Sequence, residues 1–338
     1  MIELLRDGNF HSGEELGQAL GISRAAVWKK IQAITALGLP LDTLRGKGYR
    51  LLPGIELLDR HRIEQYLMLD PQAKTMLVLK LSTPSTNDAV REAVEQLKAN
   101  EQMEAIEKKD SKGKTIHVCI AEHQSAGRGR RGRSWVSPFG ASLCYSMLCR
   151  HEGGFAAMEG LSLAVGLTVL QTLEVMGVTG ISLKWPNDLV VCTASGKLEK
   201  LAGVLLEVSG DPTGVCEIVI GIGINLMLPE AQKAQIDQPV TDVYTLLGHT
   251  IDKNELAGRL TSNLVVMLKI FQQEGFRVFR EDWQRYDAFA DQSVALFAGD
   301  RQIVGVANGV SENGAVLIKN DNGVTTAHAG GEISLRKL

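Results

Sequence analysis

Hydrophobic and polar positions follow three different rhythms along this chain, and each predicts a different architecture. Up to about residue 52 the rhythm is helical and the segments are short. Ser12-Gly-Glu-Glu15 has the form of a capping box, in which serine accepts from the third helical amide and glutamate reaches back, so a helix should run to about Leu20. Gly21-Ile22 makes a tight turn and Ser23 caps a second helix, with Val27, Ile31 and Ile34 on one face at i, i+4 and i+7. Residues 39–44 and 49–52 flank the turn Arg45-Gly-Lys-Gly48 as a hairpin, and Pro53-Gly54 marks a boundary.

From residue 55 to about 275 the rhythm alternates. Runs rich in Val, Ile, Leu and Cys at 76–82, 115–124, 142–150, 181–191, 200–209 and 215–228 read as strands, and 88–97, 157–176 and 254–273 carry helical spacing. These predict a mixed sheet of six or so strands with the helices over one face. Two polar interruptions, 98–114 and 192–199, read as long loops, the first of them mobile. After a helical stretch around 276–289, short alternating strands are broken by Ala298-Gly-Asp300, Glu312-Asn-Gly314, Asp321-Asn-Gly323 and Gly330-Gly331, a spacing that suggests a small β-barrel. The class is therefore α+β, divided into residues 1–54, 55–290 and 291–338, and 338 residues suit two or three domains.

Charge sharpens the first segment. The net balance of −3 excludes a globally basic protein that coats nucleic acid or anionic lipid, so any such contact must use a local patch. Residues 23–50 hold six Lys or Arg and one acid, a local balance of +5. A charge run by itself is more often a solvated helix face. Two capped helices, a glycine turn and a basic hairpin together resemble a winged helix-turn-helix, with Ser23, Arg24, Lys29, Lys30, Arg45 and Lys47 as DNA contacts. Cys119, Cys144, Cys149, Cys192 and Cys216 are odd in number and contain no Cys-x-x-Cys, which favours buried thiols in a reducing compartment over disulfides or zinc, and no metal ligands are assigned. No secretory leader and no run of about 18 apolar residues is evident, so a cytoplasmic protein without membrane contact is expected.

Glycine is the remaining compositional signal: 35 residues, above the typical ~7%. Gly127-Arg-Gly-Arg-Arg-Gly132-Arg-Ser134 satisfies Gly-x-Gly-x-x-Gly and nearly matches a phosphate-binding loop, but Trp135-Val-Ser-Pro138 and then a strand follow it. Without a helix amino terminus both of those readings fail. What is left is a loop with Arg128, Arg130, Arg131 and Arg133, which should repel itself when empty and order around phosphates through charge-assisted, often bidentate bonds. A basic surface loop is the plainer alternative. Lys184-Trp-Pro-Asn-Asp188 delivers a cation, an amide and a carboxylate at a strand end, or is merely a capped turn. Lys200 opens an apolar, glycine-containing strand, and Ser82-Thr-Pro-Ser-Thr-Asn87 offers hydroxyls and an amide suited either to a neutral polar ligand or to helix capping.

These stretches, with Lys200-Leu-Ala-Gly203, Gly221-Ile-Gly-Ile-Asn225 and Gly330-Gly-Glu-Ile-Ser334, resemble the biotin protein ligases over almost the whole chain, and the amino-terminal segment makes the resemblance specific to the bifunctional ligases and biotin operon repressors of bacteria. The resemblance implies a winged helix-turn-helix, a central domain like class II aminoacyl-tRNA synthetase cores and an SH3-like carboxy-terminal domain. It implies ATP-dependent biotinylation of a carrier lysine through biotinyl-5′-AMP, and adenylate-controlled repression at an operator. Biotin, ATP and Mg2+ are the implied small molecules, and a biotin carboxyl carrier domain, operator DNA and a second copy of the chain, as an adenylate-bound homodimer, are the implied partners.

By the same resemblance Lys200, Arg130, Lys184 and Asp188 are catalytic. Ser85, Thr86, Asn87, Gln124, Ser125, Gly127, Arg128, Gly129, Arg130, Arg131, Lys200 and Gly203 would bind biotin, and Arg128, Arg130, Arg131, Trp135, Lys184, Asn187, Lys200 and Asn225 the nucleotide. Asp188 is a weak magnesium ligand at most. A non-enzymatic winged-helix sensor and a lipoate or octanoate transferase are the competing functions. The segments 98–114 and 192–199 are longer than the family pattern, and Trp28 is bulky for a recognition helix.

Overall fold

In the computed structural model, residues 1–5, 7–39, 41–51, 56–70, 73–99, 115–298, 301–329 and 333–337 are described. The Pro53-Gly54 boundary, most of 98–114, the 299–300 turn and Gly330-Gly331 lie outside them.

The first fifty residues follow local rules closely. Helices α1 (Ile2–Leu5), α2 (Gly13–Leu20) and α3 (Arg24–Ala36) precede the antiparallel strands β1 (Leu41–Leu44) and β2 (Gly48–Leu51). Ser12 Oγ accepts from the Glu15 amide at 3.1 Å and Glu15 Oε2 accepts from the Ser12 amide at 2.7 Å, the full capping box. Gly21 adopts φ +64°, which glycine tolerates without steric cost, and Ser23 caps α3. Leu16, Val27, Ile31, Ile34, Leu39, Leu51 and Leu57 bury one another in a core of their own. Helix α1 is too short for periodicity to announce it.

The centre is a seven-stranded mixed sheet built from β3 (Lys74–Lys80), β4 (Thr115–Ala121), β5 (Ser142–His151), β6 (Ile181–Lys184), β7 (Asp188–Cys192), β8 (Leu198–Gly210) and β9 (Cys216–Asn225), in the order β3-β4-β5-β9-β8-β7-β6. Only β3 and β4 run parallel. The apolar run at 181–191 is two strands, because Trp185-Pro186-Asn187 turns the chain so that Lys184 faces Asp188. The supposed long loop at 192–199 is a tight connection of residues 193–197, closed by Thr193 Oγ1 and its bonds to Lys197, with Leu198 and Glu199 already in β8.

The helices cover both faces of the sheet. Helix α5 (Thr86–Ala99), which follows the short α4 (Arg60–Gln65), packs Ala89, Val90 and Val94 against Cys119, Leu148 and Val219. Helix α6 (Leu161–Val175) lies on the opposite face, and beyond α7 (Glu230–Lys233) and α8 (Val243–Leu247), α9 (Lys253–Glu274) packs there with it, over Val118, Ile120, Tyr145, Met147, Ile218 and Ile220. Successive strand side chains point to opposite faces, so a strand apolar at every position is one covered twice. Contrary to expectation, Ala156–Val175 is apolar and long enough to cross a membrane by length and composition, but 61% of it is buried as the core helix.

Helix α10 (Arg280–Arg285) leads into β10 (Ser293–Ala298), β11 (Arg301–Val310), β12 (Val316–Lys319), β13 (Thr325–His328) and β14 (Ile333–Lys337), an antiparallel sheet ordered β13-β12-β11-β10-β14 where the SH3-like barrel was expected. A register shift between Ala307 and Val310 bends β11. Leu296, Ala307, Val310, Val316 and Ile318 share one core with the central sheet. Trp185 Nε1 donates to the Gly314 carbonyl at 3.0 Å, so the tryptophan of the Lys-Trp-Pro-Asn-Asp motif anchors this sheet.

At the junction with the winged helix, Glu122 is 1% and Lys253 4% exposed. The Glu122 carboxylate takes the Lys253 ammonium on one oxygen and the Leu58 amide on the other, each at 2.5 Å. Replacing Lys253 by Met would strand a buried carboxylate, a defect of about 3–5 kcal/mol. We predict a loss of that size in urea unfolding of Lys253→Met. A loss below about 1 kcal/mol, as for an exposed pair, would contradict a structural role for the bridge.

Candidate active site

The open end of the sheet carries a wall of buried polar groups. The turn from β3 into α5 presents Ser85, Thr86 and Asn87, exposed by only 4%, 3% and 4%. Gln124, just after β4, accepts on Oε1 from the Thr86 amide and hydroxyl at 2.8 and 3.1 Å. Ser146 of β5 lies 2.7 Å from Thr86 Oγ1 and 2.6 Å from Asn87 Oδ1. Buried polar groups require partners, and Thr86, Asn87, Gln124 and Ser146 supply them to one another beside a cavity that Thr86, Asn87 and Gln124 line. Ser146 was not foreseen; a serine in the apolar run 142–150 was its signal.

The floor of that cavity is backbone. A Cβ on Gly221 would sit 2.5 Å from Asn87 Oδ1, and one on Gly223 would sit 2.5 Å from Trp135 Cε2. Glycine at these two positions of β9 is what lets the asparagine and the indole lie against the strand. Gly127 does the same at the loop, where a Cβ would meet the Trp135 carbonyl at 2.5 Å.

Lys200 reaches this cavity through an irregularity. Leu189 pairs with Ala202 but Val190 pairs with Lys200, so Leu201 is an extra residue in β8. On a regular strand positions 200 and 203 face opposite ways; the bulge brings them to one side. The Lys200 ammonium thus lies 3.1 Å from where a Gly203 Cβ would be, 2.6 Å from Asp188 Oδ1 and 5.6 Å from the Trp135 ring. The lysine backbone is pinned as well, with its amide on the Pro239 carbonyl and its carbonyl receiving the Thr241 amide.

The arginine loop is folded over the cavity. Gly129 N donates to Arg133 O at 2.7 Å and Trp135 N to Gly127 O at 2.8 Å, and Arg130–Gly132 forms one tight turn in which Arg131 takes φ +60°. Self-repulsion is answered by acids: Arg128 binds Asp88 and Glu207, while Arg130 donates to Asn187 Oδ1 at 3.2 Å. Burial lowers the Arg130 pKa and holds the Lys184 ammonium below its usual value, in both cases despite the Asp188 carboxylate nearby.

Of the residues expected at the ligands, Ser85, Thr86, Asn87, Gln124, Arg128, Gly129, Arg130, Trp135, Asn187, Lys200 and Gly203 line one cavity, and Arg131 lines the adjoining one. Four line neither cavity. Ser125 is exposed, its amide bonded to Thr83 O. Gly127 lies at the loop base. Lys184 sits behind Asp188, 5.9 Å from the Phe289 ring, and lines neither cavity. Asn225, 3% exposed, directs its amide to the carbonyls of Lys200 and Thr241, so it holds the lysine's backbone rather than facing the cavity. No group of three or more His, Cys, Asp or Glu side chains stands together among the described residues, so the donor set does not form a magnesium cage.

On the winged helix, Arg24, Lys29, Lys30, Arg45 and Lys47 are all exposed, and none has a carboxylate partner among the described residues. Arg50 is neutralised by Asp42 at 2.8 Å. The Ser23 hydroxyl accepts from the Ala26 amide as the helix cap, and Trp28 stands 56% exposed beside the cations.

Residues 84–225 match the Biotin/lipoate A/B protein ligase family, residues 1–50 an HTH domain and residues 291–336 the Biotin protein ligase C terminal domain. The bifunctional ligase/repressor BirA of Salmonella typhimurium is 40% identical over 336 residues, covering 99% of this chain and 96% of that protein, and BirA of Escherichia coli is 38% identical with the same coverage. The solved biotin protein ligase of Aquifex aeolicus in complex with biotin and ATP is 27% identical, with a TM-score of 0.60, covering 78% of this chain and 99% of that one. From its winged helix to its carboxy-terminal sheet, the chain belongs to the bifunctional ligase/repressor family of biotin protein ligases.

Proposed function

We propose that this chain joins biotin to a lysine of a biotin carboxyl carrier domain at the expense of ATP and, with the adenylate bound, represses transcription at an operator. One observation carries the reading: a buried polar wall and a glycine floor line a cavity suited to a neutral polar ring, and the Lys200 ammonium lines the same cavity. Ser85, Thr86, Asn87 and Gln124 suit a ureido group, which needs both donors and acceptors once desolvated. Lys200 then meets the biotin carboxylate and the α-phosphate of ATP.

In the first step a carboxylate oxygen attacks the α-phosphorus and pyrophosphate leaves. Two anions must meet, so Lys200 and Arg130 offset their repulsion and the charge developing at phosphorus. Lys184, behind Asp188, contributes only through the field. Trp135 flanks the adenine and Asn187 steadies Arg130. In the second step the carrier lysine amine attacks the acyl carbonyl and AMP leaves, with Asp188 accepting the amine proton. Any Mg2+ would arrive on the ATP phosphates, and no step here uses it. The folded arginine loop shields the mixed anhydride from water between the steps.

Of the division at residues 1–54, 55–290 and 291–338, the first boundary is supported by a separate core that also takes in Leu57, and the last by the change to a separate antiparallel sheet, although 55–290 and 291–338 share one core. A cytoplasmic location fits these substrates. Biotin-dependent exchange of labelled pyrophosphate into ATP is the decisive test: we expect exchange in the parent and a loss of about 100-fold or more in Lys200→Met, the scale for removing one group that stabilises developing charge. A sensor without enzymatic activity shows none in the parent, and a lipoate transferase loses its labelling to competing free lipoate.

Dimerisation follows from an open edge. Beyond Gly203, β8 has β9 on one side and, among the described residues, no strand on the other, with Val208 38% exposed. Adenylate, by fixing the arginine loop beside this edge, completes a self-complementary surface. Val208→Asp should weaken adenylate-promoted dimerisation by about tenfold or more in sedimentation; an unchanged dimer would exclude this edge.

A dimer places two recognition helices on a palindrome. Because the wing and α3 act through phosphates, operator affinity should fall steeply with added salt, with a log–log slope of several units, and a flat response would remove Arg24, Lys29, Lys30, Arg45 and Lys47 from the interface.

A further inference from the structure

Four arginines crowd the ligand loop, and they are not equivalent. The Arg128 guanidinium is occupied on two of its edges: Nη1 and Nη2 donate to the two oxygens of Asp88 at 2.6 and 2.7 Å, and Nε and Nη2 donate to Glu207 Oε1 at 3.2 and 3.0 Å. Arg91 closes the group, with Nη1 2.6 Å from Glu207 Oε2 and 3.9 Å from Asp88 Oδ1. Two acids therefore answer two arginines. Bidentate forks are what an arginine needs to grip a carboxylate or phosphate, and Arg128 has committed its forks to protein. Arg130 lines the same cavity as Lys200 and donates to Asn187 Oδ1.

The position of Arg128 gives that commitment a mechanical meaning. Arg128 pairs with Ser134 across the base of the loop, directly beside the Gly129 to Arg133 hydrogen bond, so these residues are its neck. Asp88 stands in the first turn of α5, next to Asn87 of the ligand wall, and Glu207 stands on β8. We infer that Arg128 is a positioning residue whose guanidinium staples the neck of the ligand loop to α5 and β8 through Asp88 and Glu207, leaving Arg130 as the loop cation that meets the substrate. The inference rests on the ligase reading and refines it, since Arg128 leaves the list of cations that touch biotin or phosphate. Arg128 in turn holds the Asp88 carboxyl below its ordinary pKa, so the staple stays charged throughout the neutral range.

A loosened neck lets the loop open more often, so the quantity to read is escape of the adenylate. Full-length protein is loaded with chemically prepared biotinyl-5′-adenylate and chased with excess unlabelled adenylate. Pyrophosphate exchange at saturating biotin and ATP is measured separately. The variants are Asp88→Asn with Glu207→Gln, Arg128→Gln, all three together, and Asp88→Glu as the conservative control. We expect the acid pair and Arg128→Gln to speed escape by similar factors of about tenfold, with no further gain when combined, as for residues acting as one unit. Exchange by the acid pair should stay within about twofold of the parent at saturation, and Asp88→Glu should retain adenylate as the parent does. If the acid pair holds adenylate as long as the parent while Arg128→Gln loses exchange outright, Arg128 is a substrate-contacting cation and the inference is overturned. A parent that neither makes nor holds adenylate overturns the ligase reading itself, a result separable from the first.

Discussion

Gly221 and Gly223 lie where any Cβ would stand 2.5 Å from Asn87 or from the Trp135 ring, and this close approach of side chains to a bare strand is the constraint on which the rest of the site depends. A binding cavity between a sheet and a folded-over loop needs room, and the room comes from omitting two side chains within the apolar run Ile218–Ile224 of β9. Around that gap the wall can be polar because several of its groups hold one another: Thr86 by Gln124, and Asn87 and Thr86 by Ser146. Rotational freedom is thereby removed before a ligand arrives, which lowers the entropy cost of binding.

The second constraint is electrostatic and local. The chain carries a small net negative charge, yet it brings Lys200, Arg130 and the remaining loop arginines to one end of a sheet. Three of these cations have a specific counterpart: Asp188 for Lys200, Asn187 for Arg130, and Asp88 with Glu207 for Arg128. Ligand site and winged helix are also in covalent proximity. Trp135 lines the cavity, Ser137 is bonded to the backbone of Gln124, and Phe139, four residues after the tryptophan, packs against the winged-helix core.

What the sequence revealed was whatever is decided locally. The capping box at Ser12, the turn at Gly21 and the apolar face of α3 need only a few neighbouring residues, and all stand in the structure. Motifs marked the loop, the wall and Lys200. What it concealed was decided across strands. No spacing within 198–210 announces that Leu201 bulges, although without the bulge Lys200 would face away from Gly203. That α5 lies on the opposite face from α6 and α9 is likewise a matter of which side of the sheet each connection crosses, and helical periodicity is silent on it. Asn225 and Lys184 carried the right chemistry in the right motifs, but one faces backbone carbonyls and the other lies behind Asp188. Counting arginines in the loop exposed its charge and not the two distant acids that divide its labour.

The central claim is that this cavity makes an activated biotin and passes it to a protein amine. The most direct measurement is the intact mass of a purified biotin carboxyl carrier domain after incubation with the full-length chain, ATP and biotin. The account predicts a carrier heavier by one biotinyl group, with the modification on a single lysine and absent when either ATP or biotin is left out. A carrier of unchanged mass, from a chain that still binds biotin, would contradict it.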